Sequence, residues 1–214
     1  MPTHKPAVYA DRRLQILDAA LQVFSNKGFL AATNRDIAIA AGINSPGLIY
    51  HYFASKEDLL RAVIEEFAPP VHLAAHSEDL MEMLPEQGLT HIGQAYLTIL
   101  ENPKVGQCLR IMVAESLHSE HFAEIFREIG PFRVWRLLST YLQRKMDEGL
   151  LRPADSAITA WCFLGPLAAR MLAQVILHLP DMNEIMPADR SLEIHVSIFL
   201  TGLQAEPSST SEGL

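Results

Sequence analysis

The chain is poor in cysteine: Cys108 and Cys162 are the only two in 214 residues, and their separation fits no metal-binding or redox spacing. That excludes a disulfide scaffold, and two free thiols suit a reducing, cytoplasmic compartment. Aromatic residues make up only 7%. Long apolar runs are also missing. Residues 157–169 are nearly all apolar, but Arg170 ends the run short of the roughly 18–20 residues a membrane span needs, so a helix buried in protein is expected. The opening stretch MPTHKPAVYADRR has no apolar signal core, and no export is expected. No segment alternates as a strand would, and no internal repeat is visible. No nucleophile elbow, phosphate loop or dinucleotide fingerprint occurs, so neither an enzyme nor a bound cofactor is expected.

Positive charge is scarce as well. The net charge is −8, but it is unevenly spread. Residues 1–67 hold seven basic side chains (Lys5, Arg12, Arg13, Lys27, Arg35, Lys56, Arg61) and seven acidic ones. The whole excess of acid lies beyond residue 67, which leaves the N-terminal third free to carry a local basic face. With 49% apolar residues, the chain is globular and long enough for a substantial core.

What is present is helical punctuation. Leu14, Leu17, Leu21 and Phe24 form a 3-4-3 stripe over residues 12–27, widened by Ile16, Ala20 and Val23, and Gly28 ends it. Thr33 caps a second helix with Asp36 in the capping-box position, and Gly42 stops that helix. Ser45 and Pro46 start a third element of about two turns, and Ser55 with Asp58 starts a fourth. Ala38, Ala40 and Ala41 allow two short helices to cross closely. Ile37, Ile43, Ile49 and Phe53 supply a core with the first helix. This is a helix-turn-helix layout. Beyond Pro69-Pro70, further Pro and Gly residues divide the chain into helices near 71–83, 89–101, 104–118, 119–129, 132–148, 154–178 and 188–203, with a kink expected at Gly165-Pro166. The fold class is therefore all-α: a small N-terminal helix-turn-helix domain and a larger C-terminal helical domain.

The stretch ILDAALQVFSNKGFLAATNRDIAIAAG…LIYHYFASKEDLLRAV resembles the DNA-binding domain of the TetR family of transcriptional regulators. Five features agree in order and spacing over about residues 12–63: the aliphatic first helix, F…KGF, T.RDIA..AG, IYHYF and SKEDLL. The turn AGINSPGLIY is one residue longer than the common AGVSKGTLY pattern. The resemblance implies that Thr33 and Asn34 meet the DNA backbone. It implies that Ser45, Pro46, Gly47 and Leu48 face base edges, and that Tyr50, Tyr52 and Lys56 clamp phosphates; the alternative reading of Tyr50 and Tyr52 is as half-buried aromatics of a small domain. Asn44 and Tyr50 are the expected polar readers, since Pro46, Gly47 and Leu48 lack groups that hydrogen-bond to bases. His51 belongs to the solvated or phosphate side. Arg35 reads either as a DNA contact or as an ion pair with Asp36.

For the rest of the chain the resemblance implies a homodimer on a near-palindromic double-stranded operator, with a small-molecule effector bound in the body and no membrane. Dimer candidates are Leu164, Leu167, Met171 and Val175 on the long apolar helix, and Leu192, Val196, Phe199, Leu200 and Leu203 on the last. Tyr96, Met112, Phe126, Trp135, Trp161 and Met171 are candidates to line a mostly apolar ligand site, with Phe122 and Phe163 nearby and Arg110, Glu115 and His118 as polar anchors. For any single one of the apolar residues, plain core is the favoured reading. The expected division is a flexible arm at 1–10, a DNA-binding domain at 11–67, a ligand-binding and dimerisation domain at 68–204, and a disordered tail at 205–214. The expected mode is repression, released when the effector acts through the fourth helix. The competing class is a helical-bundle metal-binding protein or enzyme, for which the pairs His72/His76 and His118/His121 and the sequence Glu115-Ser-Leu-His118 are the sole support.

Overall fold

The computed structural model describes residues 5–67, 78–179 and 182–204, and among these every regular element is a helix. The N-terminal part comprises α1 (Lys5–Lys27), α2 (Asn34–Ala40), a 3₁₀ helix (Pro46–His51) and α3 (Lys56–Phe67). Then come α4 (Glu78–Glu82), α5 (Pro85–Glu101), α6 (Pro103–His118), α7 (Glu120–Ile129) and α8 (Pro131–Asp147). The chain finishes with α9 (Ser156–Met171), a π-helical turn (Leu172–Ile176), α10 (Met182–Ile185) and α11 (Ala188–Thr201). Residues 205–214, expected to be a disordered tail, and the pair His72/His76 lie outside the described residues.

The start of the first helix differs from expectation. Helix α1 begins at Lys5, so most of the presumed arm at 1–10 is helical. Its buried stripe is Ile16, Leu17, Ala20, Leu21 and Phe24, while Leu14 is 44% exposed. The expected stripe is therefore kept through Leu17, Leu21 and Phe24 with Ile16, Ala20 and Val23 beside it, and Leu14 alone of that set turns outward.

The chain forms two compact units, and they do not follow a single cut at residue 67. The first joins residues 1–72 to 98–133; the second joins 73–97 to 134–214. The boundaries fall inside α5 and inside α8. In the first unit α1 packs against α2, α3 and α6, and α3 packs against α6 and α7. One core results, running from Ile16, Phe24, Ile37, Ile49 and Phe53 through Leu59 and Ile64 to Cys108, Ile111, Met112, Phe122 and Ile125. Helices α6 and α7 are thus built into the helix-turn-helix unit.

In the second unit α5 approaches its neighbours closely at two glycines. A Cβ on Gly88 would stand 2.3 Å from the Tyr141 hydroxyl, and one on Gly93 would stand 2.2 Å from Leu192 Cδ1. The Tyr141 hydroxyl donates toward the carbonyls of Met83 and Leu84 at 3.2 and 3.0 Å. Pro166 lies within α9, which runs on unbroken to Met171; the irregularity is the π turn after it, where Leu177 N–H reaches back to Leu172 O. By length and composition Ser156–Ile176 could span a membrane. Its charged member, Arg170, is buried and donates to Met186 O at 2.9 Å.

Candidate nucleic-acid interface

The helix-turn-helix starts from a reciprocal cap. Thr33 Oγ1 accepts from Asp36 N–H, and the Asp36 carboxylate accepts from Thr33 N–H at 3.1 Å and from its hydroxyl at 2.8 Å. Lys27 Nζ donates to the same carboxylate at 2.6 Å. These donors pull the Asp36 pKa down to about 2, with Lys27 the largest cause and Thr33 next. Asp36 is therefore paired with Lys27 and not with Arg35, whose side chain stays exposed. Gly42 ends α2 with φ +61°, a conformation that suits glycine.

The second helix of the motif is 3₁₀, not α. Pro46 brings no N–H and Gly47 has poor helix propensity, so six residues complete two tight turns closed by Leu48 N–H to Ser45 O and Tyr52 N–H to Ile49 O. At three residues per turn, Ile49 is buried while Gly47 and Tyr50 share an exposed face, with Tyr50 63% exposed. Asn44, Ser45, Pro46 and His51 are exposed too. Ile43, Ile49 and Phe53 support the element from behind. Leu48 departs from expectation: it is half-buried and packs on the core instead of offering its side chain to bases. A hollow of 510 Å³ opens here, lined by Arg12 of α1 and by Gly42, Ile43, Asn44, Ser45, Gly47, Leu48 and His51.

Two expected phosphate clamps are otherwise engaged. Tyr52 is half-buried, its ring stacked on Tyr9 of α1 with centroids 4.5 Å apart and planes at 27°. Lys56 does not reach outward. Its ammonium donates to the carbonyls of Phe29, Leu30 and Ala32 at 2.8, 3.2 and 3.0 Å, and lies 4.6 Å from the centroid of the Phe29 ring. An ammonium has three donors, and all three are used. Lys56 pins the turn between α1 and α2. Thr33 is occupied by its capping role, and Asn34 is half-buried at the first position of α2.

Glu115, expected as a ligand anchor, is the second pin on that turn. It is buried, and its Oε1 accepts from Phe29 N–H at 2.6 Å. Gly28, at φ +78°, lets the carboxylate approach; a Cβ there would sit 3.1 Å from Oε1. No local pattern announces this contact between residues far apart in sequence.

The other ligand candidates divide between the units. In the first, Met112 is buried with its sulfur 3.8 Å from Cys108 Sγ, Phe126 packs on the same core, and Arg110 and His118 are exposed. In the second, Tyr96 is buried, with its phenol pushed up to about 12 by that burial. Trp135 is half-buried and donates its indole N–H to Ala157 O at 3.0 Å; Met171 is half-buried and Trp161 is 68% exposed. Among the described residues, no three His, Cys, Asp or Glu cluster as a metal site.

The expected dimer residues mostly face their own unit. Leu164, Leu167, Val175, Leu192, Val196 and Leu203 are buried within it, and Met171, Phe199 and Leu200 are half-buried. The apolar side chains left open on the same helices are Ile158, Trp161 and Leu172, and Ile194 and Ile198.

Comparison with known proteins places these features. Residues 16–63 match the model for bacterial regulatory proteins of the tetR family, and residues 87–202 match that for the AefR-like transcriptional repressor C-terminal domain. The uncharacterized HTH-type transcriptional regulator YvkB of Bacillus subtilis is 27% identical over 200 residues, covering 90% of this chain and 97% of its own. Among solved structures, a TetR-family transcriptional regulator from Mesorhizobium loti superposes with a TM-score of 0.70 at 22% identity, covering 91% of this chain and 98% of its own. The flavonoid-responsive regulator FrrA superposes with a TM-score of 0.63 at 27% identity, covering 92% and 100%. With both domain models matched in order, one of them over more than half of its length, the chain belongs to the TetR family of helix-turn-helix transcriptional regulators.

Proposed function

We propose that this regulator acts in the cytoplasm as a homodimer that occupies a near-palindromic operator, represses by excluding other proteins from that DNA, and is released by a mostly apolar small molecule. The observation that carries this is the 3₁₀ helix with the turn before it, where Asn44, Ser45, Gly47, Tyr50 and His51 stand exposed on a fully packed support. Asn44, Ser45, Tyr50 and His51 offer hydrogen-bonding groups to base edges and phosphates. Pro46 and Gly47 allow close backbone approach and contact with thymine methyls. Two copies related by a two-fold axis read two half-sites.

The partner copy is expected on the outward face of α9 and α11. Trp161, at 68% exposure, and Ile198, also 68%, lead an apolar surface that a soluble monomer would rarely leave bare. That assignment replaces the buried set through Leu164 and Leu192 with Ile158, Trp161, Leu172, Ile194 and Ile198. Met171, Phe199 and Leu200 remain at its margin.

Release would pass through the helices that α3 packs on. Arg61 of α3 pairs with Glu128 of α7 at 3.5 Å, and Glu65 of α3 pairs with Arg133 of α8 at 3.8 Å. Exposed pairs of this kind are individually weak, so a shift of α7 or α8 can re-set α3 at small cost.

The test is selection of bound duplexes from a random-sequence library by the purified protein, followed by sedimentation of the complex. Recovery of an inverted repeat carrying two protomers supports the proposal. A single asymmetric site carrying one protomer refutes the dimeric reading. Apolar effector candidates that neither raise the melting temperature nor release the selected duplex refute the effector.

A further inference from the structure

We propose that Arg12 of α1 is a DNA phosphate contact outside the helix-turn-helix motif, held in place by Gln15 as a positioning residue. This rests on the DNA-binding function of the family and adds a residue that the motif does not contain.

The first observation is position. Arg12 lines the 510 Å³ hollow that is otherwise walled by the turn and the 3₁₀ helix. It is the one permanently charged residue in that lining. Asn44, Ser45 and His51 share the wall of this hollow with Arg12, so a strand read by them brings its phosphates near the guanidinium.

The second observation is restraint. Arg12 Nη1 donates to Gln15 Oε1 at 2.8 Å, and Gln15 Nε2 donates to Ala41 O at 2.7 Å. Ala41 is the C-cap of α2. The guanidinium is thus tied through one side chain to the turn before the recognition element. The Tyr9–Tyr52 stack, one helical turn earlier in α1, fixes the same stretch of helix. A pre-positioned guanidinium loses little freedom on binding, and its planar fork matches a phosphate.

The third observation is charge. In the same unit Arg13 pairs with Glu66, Lys27 with Asp36, Arg61 with Glu128, Lys104 with Asp18 and Arg133 with Glu65. Lys56 is caged by carbonyls. Arg12 has only the neutral Gln15, so its positive charge has no carboxylate partner among the described residues. An acidic chain that binds a polyanion needs such charges where the backbone passes.

The experiment is the salt dependence of binding to two duplexes of equal length, the inverted repeat recovered by selection and a mixed-sequence control. The full-length protein is compared with Arg12→Ala, Arg12→Gln, Arg12→Lys and Gln15→Ala. Each phosphate contact contributes about 0.9 to the slope of log K against log salt, so Arg12→Ala and Arg12→Gln flatten the slope by about 2 per dimer on both duplexes. Arg12→Lys keeps the wild-type slope. Gln15→Ala keeps the slope and weakens binding several-fold. Arg12→Gln retains a donor for Gln15, so it serves if the alanine variant fails to fold. A wild-type slope in Arg12→Gln, with an unchanged melting temperature, overturns the proposal. Failure of the unmodified protein to prefer the selected repeat would instead count against sequence-specific regulation, leaving the Arg12 comparison readable on the control duplex.

Discussion

The backbone N–H of Phe29 donates to Glu115 Oε1 at 2.6 Å, joining the turn after α1 to helix α6 in the core of the DNA-reading unit. On the other side of the turn, Lys56 holds the Phe29 carbonyl at 2.8 Å. The peptide groups that set the start of the helix-turn-helix are therefore fixed from α6 and from α3 together.

Truncating Glu115 removes the acceptor and leaves Phe29 N–H buried. Glu115→Ala is expected to lower stability by about 1–3 kcal/mol. Chemical denaturation monitored by circular dichroism measures this. Glu115→Gln keeps an acceptor oxygen and should recover much of the loss. Equal stability in all three proteins would show that the bond contributes nothing.

Lys56 and Arg12 should behave oppositely. Because the Lys56 ammonium is used within the chain, Lys56→Ala is expected to lower the melting temperature and weaken DNA binding without changing the salt slope. A flatter slope in Lys56→Ala would mean that the ammonium leaves its carbonyl cage to meet a phosphate.

The cap of α2 makes a pH prediction. The folded pKa of Asp36 lies at about 2, below its ordinary 3.8, because Lys27 and Thr33 favour the charged form. A depressed carboxylate stabilises the fold fully above its ordinary value and progressively loses that effect as pH falls toward the folded value. Asp36→Asn should thus flatten the fall in melting temperature between about pH 4 and pH 2. Thr33→Ala should cost about 1 kcal/mol at neutral pH. An unchanged pH profile in Asp36→Asn would contradict the electrostatic account of the cap.

The proposed dimer face can be broken from its exposed side. Trp161→Glu is expected to weaken dimerisation by about 2 kcal/mol or more, since a central aromatic anchor gives way to a charge. Analytical ultracentrifugation reads this directly. Cys162, exposed next to Trp161, gives a second readout: it should label slowly in the dimer and faster in the variant. Cys108 is buried, with its thiol pushed up to about 12, and should stay unlabelled in both. A dimer of unchanged strength in Trp161→Glu would place the interface elsewhere.

Local chemistry was legible in the sequence. Thr33 with Asp36, and Gly28 and Gly42 as stops, depend on neighbours within a few residues, and the helix-turn-helix frame followed from them. Ile37, Ile43, Ile49 and Phe53 were readable as core because a short motif has few ways to bury them. The roles of long side chains were not. Lys56 occupies a first helical turn and looks like a phosphate clamp, yet it folds back to carbonyls 24 to 27 residues earlier. Glu115 resembles any helical carboxylate until α6 is packed beside Gly28. On α9 nearly every side is apolar, so periodicity could not say which face turns inward. Leu164 and Leu167 went into their own unit, and Ile158 and Trp161 stayed outside.

The most direct test of the central claim is fluorescence anisotropy with DNA from upstream of the protein's own gene and its neighbours, against a scrambled duplex, at two salt concentrations and after removal of co-purified small molecules. A dimeric, sequence-specific regulator predicts tight preference for one near-palindromic segment, falling steeply as salt rises. Equal weak binding to every duplex tested, with no segment preferred at either salt, would contradict it.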